Sequence, residues 1–393
     1  MKNKIRIFWL HSHFMNWMGG HEYVYEVTSR LSKDFEVIVV ADAFSAVAIK
    51  KFKSIKVKTI VLSGLSTYNP VYWILLPIFV VKDCLKLRQI YRSGDILISS
   101  MFPMNFVAML TSKKFIQLCY EPFAFFYDSN FVRGFPILQR IFIYITKFLY
   151  SWIDILATKK AQIVMTLSNY NRGLIQNIYK RDSIVVYEGV DTRFFRQKLN
   201  KVIENKYRGF KTIFHSTDFT NIKGTEFIFR SMPFIKQSIP NVKLLISSTI
   251  QNSHQKADLI DYATSKNFEN SIEFLGFLPY EVLPSYLSMV DVVVQPSIGQ
   301  SMNLCVKEAM SCSTPAITSL EGKEQFSDGE AGFLVDPRDS KKLARQTVIL
   351  LKDKALARKM GAKGVKIVKE KFNWQLVYKK IYNQIILSEN EKI

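Results

Sequence analysis

The chain of 393 residues is too long for one ordinary hydrophobic core, which favours two domains. Apolar residues make up 48% of it, and this excludes an intrinsically disordered protein. The formal net charge of +21 favours anionic partners such as phosphorylated substrates or acidic lipid headgroups. Nucleic acid is an unlikely partner, because the sequence has no zinc-finger or RNP motif and no basic block interleaved with stacking aromatic residues.

The predicted strands are short β-branched runs that alternate with longer helical patterns, which is typical of parallel sheets covered by helices. In the first half they are Ile5 to Leu10, Phe35 to Ala41, Asp95 to Ser99, Phe115 to Tyr120, Ile163 to Leu167 and Ile184 to Tyr187. In the second half they are Thr212 to His215, Val242 to Ser247, Ile272 to Leu275, Val292 to Gln295 and Ala316 to Thr318. The sequence thus predicts an α/β protein of two Rossmann-like, doubly wound parallel-sheet domains.

The polar stretch between the two series of strands is the predicted linker. We place the first domain at residues 1–190, the linker at 191–210 and the second domain at 211–393. Past Pro337 the chain has a helical, lysine-rich pattern to its end. A closing helix at 373–389 is in a position to cross back onto the first domain.

Two segments are more apolar than a soluble α/β domain requires, Val71 to Val81 and Ile141 to Lys160. The first is too short to span the ~30 Å hydrocarbon layer and contains a proline, so we predict a core helix. In the second, Arg140, Lys147 and Asp154 recur every seven residues, which places them on one face of a helix. A core helix and a helix lying in a membrane interface are equal alternatives for this second segment.

The cysteines argue against a disulfide framework and a zinc knuckle. The four cysteines form no C-x-x-C pair and have no neighbouring histidine at zinc-ligand spacing. No secretory signal is readable before His11. We therefore expect a cytoplasmic protein, peripheral on the inner face of the plasma membrane.

The chemically most informative stretch runs from Val290 to Pro315. A buried strand ends at Gln295, a Pro-Ser-x-Gly loop follows, and a helix is predicted to begin near Asn303. The free amides at a helix start stabilise an anionic phosphate by hydrogen bonds and by the helix dipole. One turn later, the Glu308 carboxylate can accept two hydrogen bonds from the hydroxyls of a ribose. The sequence therefore predicts a nucleotide site that uses Glu308 and the amides of Ser301, Met302, Asn303 and Leu304.

This stretch resembles the donor-site signature of glycosyltransferase family four, in which Pro-Ser-x-x-Glu is followed by Glu-Ala-Met before a small residue and a proline. Glu308, Ala309 and Met310 match the second part. Other segments are similar to the family over most of the chain: Gly19 to Glu22, Val186 to Asp191, Glu324 to Gly329, Gly332 to Asp336 and Phe372 to Trp374. The resemblance implies a GT-B fold with two domains facing a central cleft, and transfer with retention of anomeric configuration.

Gln300 stands where the family has its first glutamate, beside the transferred sugar. A glutamine keeps the hydrogen-bonding reach of that residue and loses its negative charge. The resemblance makes Gln300 a candidate catalytic residue that works as a neutral amide. A solvated loop residue is the alternative.

The resemblance places further donor contacts in both domains. Lys223 would neutralise the diphosphate, although Asp218 occupies the place of the family's usual arginine five residues earlier and cannot bind a phosphate. Gly19 and Gly20 open a helix and allow close approach to a phosphate or an acceptor. The remaining candidate donor contacts are Ser216, Thr217, Gly276 and Phe277.

In the first domain, Leu118 to Pro122 resembles the family's "Y-C-H-E-P" segment, whose histidine faces the donor sugar. Tyr120 takes the place of that histidine, and Glu121 follows it, which makes both candidate catalytic residues. A phenol can bond a sugar hydroxyl but does not exchange protons near neutral pH as an imidazole does. Tyr127 and Asp128 either line the acceptor side or pack as ordinary loop residues.

No metal site is predicted. His11 and His13 are spaced for chelation but lack a third ligand, and the sequence has no D-x-D pair of the manganese-dependent glycosyltransferase type. We expect no cofactor, and a substrate that is a UDP- or GDP-linked sugar.

The function that these residues predict is retaining, metal-independent transfer of a sugar from a nucleotide-diphosphate sugar to a glycan or polyprenyl-linked acceptor. Such a transfer belongs to the assembly of cell-surface polysaccharide, glycolipid or glycoprotein. The C-terminal domain would bind the donor and the N-terminal domain the acceptor. Gln300, Asp218 and Tyr120 together motivate an alternative, a non-catalytic sugar-nucleotide-binding or scaffold subunit of a glycosylation complex.

Overall fold

The fold is that of a computed structural model, which describes residues 4–15, 17, 19–248 and 254–390. The described chain divides into two compact units. The first contains the residues up to Gly189 together with those from Trp374 onward, and the second contains Val190–Asn373.

The first unit is built on a seven-stranded parallel sheet in the order β3-β2-β1-β4-β5-β6-β7. Its strands are β1 (Arg6–Phe14), β2 (Glu36–Phe44), β3 (Lys58–Val61), β4 (Ile96–Ser99), β5 (Ile116–Leu118), β6 (Ile163–Thr166) and β7 (Ile184–Val185). Its helices up to Gly189 are α1 (Gly19–Leu31), α2 (Ala46–Ser54), α3 (Pro70–Ile74), α4 (Leu76–Ile90), α5 (Met104–Thr111), α6 (Ala124–Tyr127), α7 (Ser129–Arg133), α8 (Ile137–Lys160) and α9 (Asn169–Tyr179).

Alternate residues of the central strand explain why helices cover both faces of this sheet. Ile7 and Trp9 of β1 belong to one hydrophobic cluster, whereas Phe8 and Leu10 belong to another, and all four are fully buried. Successive side chains of a strand point to opposite faces, so a continuous apolar strand must be covered twice.

The second unit has a six-stranded parallel sheet in the order β10-β9-β8-β11-β12-β13. Its strands are β8 (Lys211–Ser216), β9 (Val242–Ser247), β10 (Ile272–Gly276), β11 (Val292–Gln295), β12 (Ala316–Ser319) and β13 (Gly332–Val335). Its helices are α10 (Lys201–Lys206), α11 (Thr225–Ser238), α12 (His254–Ser265), α13 (Leu283–Met289), α14 (Leu304–Ser311), α15 (Ser340–Lys352) and α16 (Lys354–Lys371). Two parallel-sheet α/β units confirm the predicted fold class.

The closing helix α17 (Trp374–Asn390) belongs to the first unit, where it packs against α1. The Trp374 ring lies edge-to-face against Tyr23 with centroids 5.5 Å apart, and the Arg30 guanidinium lies 5.4 Å from its centroid. The first unit therefore combines chain segments from both ends of the described sequence.

Residues 191–210, the predicted linker, pack on the second unit instead of bridging freely. Phe194 stacks on Tyr280 with centroids 4.5 Å apart, and the Ser311 hydroxyl donates to the Phe195 carbonyl oxygen at 2.5 Å. The segment also contains α10, which the polar composition does not indicate.

Two strands escape prediction, and both lie at sheet edges. The residues of β3 are half-exposed or exposed, so they show no buried apolar run. The Gly332 to Asp336 segment, which resembles the loop before the last strand of the family, contains that strand, β13. Three of the four residues of β13 are buried, and an apolar run this short does not distinguish a strand from other structure.

The core-helix prediction for Val71 to Val81 is correct for one side only. Tyr72, Leu76 and Val80 are buried, whereas Ile74 and Ile78 are more than 60% exposed. The second apolar segment, Ile141 to Lys160, lies in α8. Its predicted polar stripe faces the protein, because Asp154 is buried and accepts hydrogen bonds from Asn105 and Tyr179.

Candidate functional site

The second unit holds most of the predicted donor residues in two loops at the carboxyl ends of neighbouring strands. One loop follows β8 and contains Lys223, and the other follows β11 and leads to α14. Because β8 and β11 are paired in parallel, both loops begin at the carboxyl-terminal edge of the sheet. Ligands of open α/β sheets bind at this edge.

A one-way chain of hydrogen bonds fixes the first loop to the sheet. The Val294 carbonyl can only accept, so His215 Nδ1 donates to it at 2.9 Å, and His215 Nε2 accepts from the Thr225 hydroxyl at 3.0 Å. Thr225 in turn accepts from the Thr217 hydroxyl at 2.6 Å. Burial lowers the pKa of His215 to about 4, and the Lys223 charge contributes to this shift. The imidazole is therefore neutral at pH 7. The Thr217 hydroxyl hydrogen is already donated to Thr225.

The Ser216 backbone is held by a side chain of the second loop. The Gln295 amide, oriented by its hydrogen bonds, donates to the Ser216 carbonyl at 3.2 Å and accepts from the Ser216 N–H at 2.7 Å. Ser216 and Gln295, the last residues of β8 and β11, are thus held side by side by two hydrogen bonds.

The two loops also contact one another through the backbone. The Ile298 N–H donates to the Ile222 carbonyl at 2.9 Å. Gly224 has φ +68°, and a Cβ there would lie 2.1 Å from the Pro296 carbonyl oxygen. Only glycine permits this approach, which places the neighbouring Lys223 beside the second loop.

The charges of Lys223 and Glu308 both affect the pKa of one thiol, that of Cys305. Burial raises the pKa of Cys305, the Glu308 carboxylate adds to the rise, and the Lys223 ammonium opposes it. Glu308 is 6% exposed and sits in the second turn of α14, whereas Lys223 is half-buried. The buried carboxylate and the cation therefore both lie within electrostatic range of Cys305.

The start of α14 is shaped by Asn303. Its side-chain oxygen accepts from the Val306 N–H at 3.4 Å, and its own N–H donates to Gln325 Oε1 at 3.1 Å. The backbone N–H of Asn303 is therefore already hydrogen-bonded within the protein. Ser301 is buried and Met302 and Leu304 are half-buried around it, so the helix start remains a candidate anion site.

The other predicted residues of this unit differ in accessibility. Gln300 is half-buried in the second loop, after Gly299 with φ +69°. Gly276 ends β10 with φ +68° and accepts from the Ser248 N–H at 3.0 Å, and Phe277 beside it is 66% exposed. Asp218, in place of the family's arginine, accepts from the Thr220 N–H at 2.9 Å and so shapes its own loop.

In the first unit, Tyr120 lies against the start of α1. Its hydroxyl donates to the Gly20 carbonyl at 3.4 Å, and burial raises its pKa well above the ordinary value. A Cβ on Gly19 would lie 3.9 Å from a Glu188 carboxylate oxygen. Gly19, Gly20, Tyr120 and Glu188 are therefore neighbours, whereas the Glu121 side chain is exposed.

Tyr127 and Asp128 have structural contacts. The Tyr127 hydroxyl donates to the Ser151 carbonyl at 3.2 Å, and the Asp128 side chain caps α7 by accepting from the N–H groups of Asn130 and Phe131. These contacts favour the packing alternative for both residues.

Sequence reasoning missed a histidine cluster at the end of β1. His11, His13 and His21 are all buried, and the His21 ring centroid lies 5.1 Å from that of His11 and 5.6 Å from that of His13. Burial and His21 lower the pKa of His13 to about 4. The spacing of His11 and His13 was a visible signal, but His21 reaches them only through the fold. Over the described ranges, no three His, Cys, Asp or Glu side chains are placed to hold a metal ion.

Known proteins are similar to this chain in sequence and in fold. The family model "Glycosyl transferases group 1" matches residues 210–353. N-acetyl-alpha-D-glucosaminyl L-malate synthase of Bacillus anthracis is 25% identical over 222 residues, 54% of this chain and 57% of that protein. GDP-mannose-dependent monoacylated alpha-(1-6)-phosphatidylinositol monomannoside mannosyltransferase of Corynebacterium glutamicum is 26% identical over 175 residues, 42% of this chain and 44% of that protein. The matched stretches span about half the length of these curated relatives.

Solved structures are similar over nearly the whole chain. Anabaena HepE in complex with UDP and glucose superposes with a TM-score of 0.76 at 15% identity, covering 97% of this chain and 99% of that one. Sucrose-phosphate synthase from Thermosynechococcus elongatus gives a TM-score of 0.75 at 16% identity, covering 98% and 100%. These likenesses establish the GT-B fold, and with the family match they confirm the resemblance found in the sequence. Residues 210–353 of the chain thus match the group 1 glycosyl transferases, and the fold of the chain is of the GT-B type.

Proposed function

We propose that this protein transfers a sugar from a nucleotide-diphosphate sugar to a glycan or lipid-linked acceptor, with retention of configuration and without a metal ion. The donor is UDP- or GDP-linked and binds to the second unit. The acceptor group binds to the first unit. The reaction belongs to the assembly of cell-surface polysaccharide, glycolipid or glycoprotein.

The observation that supports this best is that Lys223 and Glu308 both lie within electrostatic range of one side chain, Cys305. The backbone bond from Ile298 to Ile222 and the glycine at 224 hold the two loops together. Glu308 would accept from the ribose hydroxyls, and Lys223 would neutralise the diphosphate. The start of α14 would add main-chain donors.

Gln300 would contact the transferred sugar in the second unit, and Tyr120 would contact a sugar hydroxyl in the first unit. Neither is charged at neutral pH, since one is an amide and burial raises the pKa of the other. Their role would be to orient sugar hydroxyls by hydrogen bonds, which needs no proton exchange. Names of relatives support a sugar-nucleotide donor, because one is GDP-mannose-dependent and another structure contains UDP and glucose.

The alternative, a non-catalytic sugar-nucleotide-binding subunit, is favoured by Gln300 and by Asp218, which is committed to its own loop. The experiment that separates the two is incubation with UDP-, GDP- and ADP-sugars, with donor hydrolysis as the readout and thermal stabilisation by each nucleotide as the measure of binding. A transferase hydrolyses one donor slowly without acceptor. Stabilisation without any turnover would instead support the binding subunit.

We expect Glu308→Gln to weaken binding of the stabilising nucleotide by about ten- to a hundredfold, because a charged partner of the ribose becomes neutral. Isothermal titration calorimetry measures the change. Glu281→Gln removes the same charge from an exposed position of the same unit and should leave the affinity unchanged. Equal affinities for all three proteins would place the ribose elsewhere.

A further inference from the structure

The outer side of α8 is an unbroken apolar stripe. Its exposed residues recur at helical spacing and include Phe148 at 83%, Leu138 at 78% and Trp152 at 60% exposure. We call this set the α8 face: Ile137, Leu138, Ile141, Tyr144, Ile145, Phe148, Leu149, Trp152 and Leu156. From Ile137 to Leu156 the stripe is about 30 Å long, at about 1.5 Å per residue. Soluble proteins rarely expose apolar surface in one continuous patch of this kind.

A second apolar row lies in the same helical layer. It consists of exposed residues of α3 and α4, namely Val71, Ile74, Ile78, Val81 and Leu85. The Tyr150 hydroxyl of α8 donates to the Trp73 carbonyl of α3 at 2.9 Å, and α5 packs against both α4 and α8. The two rows therefore belong to one side of the first unit.

Charge on these helices is sorted by sign. The acidic residues, Asp154 of α8 and Asp83 of α4, are each 1% exposed and face the protein. The lysines Lys82, Lys86, Lys159 and Lys160 are exposed. Along α4 and α8, which the structure describes completely, the outer surface is thus apolar and cationic with no exposed carboxylate.

The inner side of α8 holds the helix in the unit. The Asp154 carboxylate accepts from Asn105 Nδ2 at 2.7 Å and from the Tyr179 hydroxyl at 2.8 Å. By length and composition α8 is also apolar enough to cross a bilayer. Leaving the unit to do so would separate these buried partners, which favours an orientation along the membrane plane.

We propose that the α8 face and the α3–α4 row dock this protein onto an anionic lipid surface, with α8 lying in the interfacial layer. Apolar side chains with tryptophan and tyrosine among them suit that layer, and the lysines around them attract acidic headgroups. A second copy of the chain is disfavoured as the occupant, because two such cationic surfaces would repel each other. This inference does not depend on the proposed donor chemistry.

Vesicle flotation of the full chain tests the proposal. Wild-type protein should float with vesicles of phosphatidylcholine and phosphatidylglycerol mixed at roughly 2:1, and about tenfold less with phosphatidylcholine alone. The double variant Phe148→Glu, Trp152→Glu should reduce flotation at least about tenfold. The matched control is Leu199→Glu, Val202→Glu, which places two carboxylates at apolar positions that are 63% and 80% exposed on the second unit.

Two further measurements make each outcome decisive. Thermal unfolding and nucleotide stabilisation of the double variant should match wild type, which separates loss of docking from loss of fold or donor site. Release by alkaline carbonate is expected of an in-plane helix, and resistance to it would replace our orientation with a spanning one. Failure of wild type to float, equal flotation of variant and wild type, or a wild-type dimer that the variant dissociates would each overturn the proposal.

Discussion

At the scale of single residues, Gly224 shows how one backbone conformation builds the candidate donor site. Its φ of +68° turns the chain after Lys223, and its missing Cβ admits the Pro296 carbonyl. The sequence analysis predicts Lys223 as a diphosphate contact, and Gly224 is the next residue. That the pair lies against the β11 loop follows only from the pairing of β8 with β11.

Gly224→Ala should destabilise the second unit by about 2–4 kcal/mol, because positive φ costs about 1 kcal/mol and the clash with Pro296 adds to it. All five tryptophans lie in the first unit, so their fluorescence reports that unit alone. We expect the calorimetric transition of the second unit to fall while the tryptophan transition stays. Gly209→Ala is the control: φ there is +89° with open space around a Cβ, so only the cost of about 1 kcal/mol applies. Equal losses for the two variants would contradict the clash.

At the scale of elements, a buried carboxyl pair joins α4 to the sheet. Asp42 of β2 and Asp83 of α4 are 0% and 1% exposed, and the Tyr72 hydroxyl donates to Asp42 at 2.6 Å. Burial and the neighbouring Asp42 charge raise the pKa of Asp83 to about 8. Asp83 therefore keeps its proton at neutral pH, beside the Asp42 carboxyl.

This pair gives the first unit a pH dependence of known sign. Between about pH 4 and 8 the folded protein retains a proton that unfolded Asp83 has released, so stability is greatest below this window and falls as pH rises through it. The slope is about 1.4 kcal/mol per pH unit. Asp83→Asn should remove most of that slope in urea unfolding followed by tryptophan fluorescence, and Asp258→Asn, an exposed change in the second unit, should retain it. An unchanged slope in Asp83→Asn would show that the proton is held elsewhere.

At the scale of the whole molecule, the first unit is completed by the far end of the chain. Trp374 is 6% exposed against α1, and a Cβ on Gly189 would lie 2.6 Å from its ring. The sequence predicts a closing helix at 373–389, and Phe372 to Trp374 at its start is similar to the family. Which element the closing helix packs against, here α1, is decided by the tertiary fold.

Trp374→Ala should lower the free energy of unfolding of the first unit by about 3–5 kcal/mol, because a large buried ring is lost. Trp152→Ala makes the same chemical change at a 60% exposed position and should cost under about 0.5 kcal/mol. Urea unfolding, followed by the fluorescence of the four remaining tryptophans, measures both. Similar losses in the two variants would argue against α17 as part of the core.

The sequence by itself determined the α/β class, the central strands and the resemblance to glycosyltransferases, because buried parallel strands and the Glu308 motif carry their signal within a few consecutive residues. It did not determine the strands β3 and β13, the packing of residues 191–210, or the third histidine beside His11 and His13. It also placed Asp154 on a polar stripe without showing that this stripe faces inward. Periodicity reports that a helix has two faces, whereas which face is buried depends on the partners that the tertiary fold supplies, here Asn105 and Tyr179.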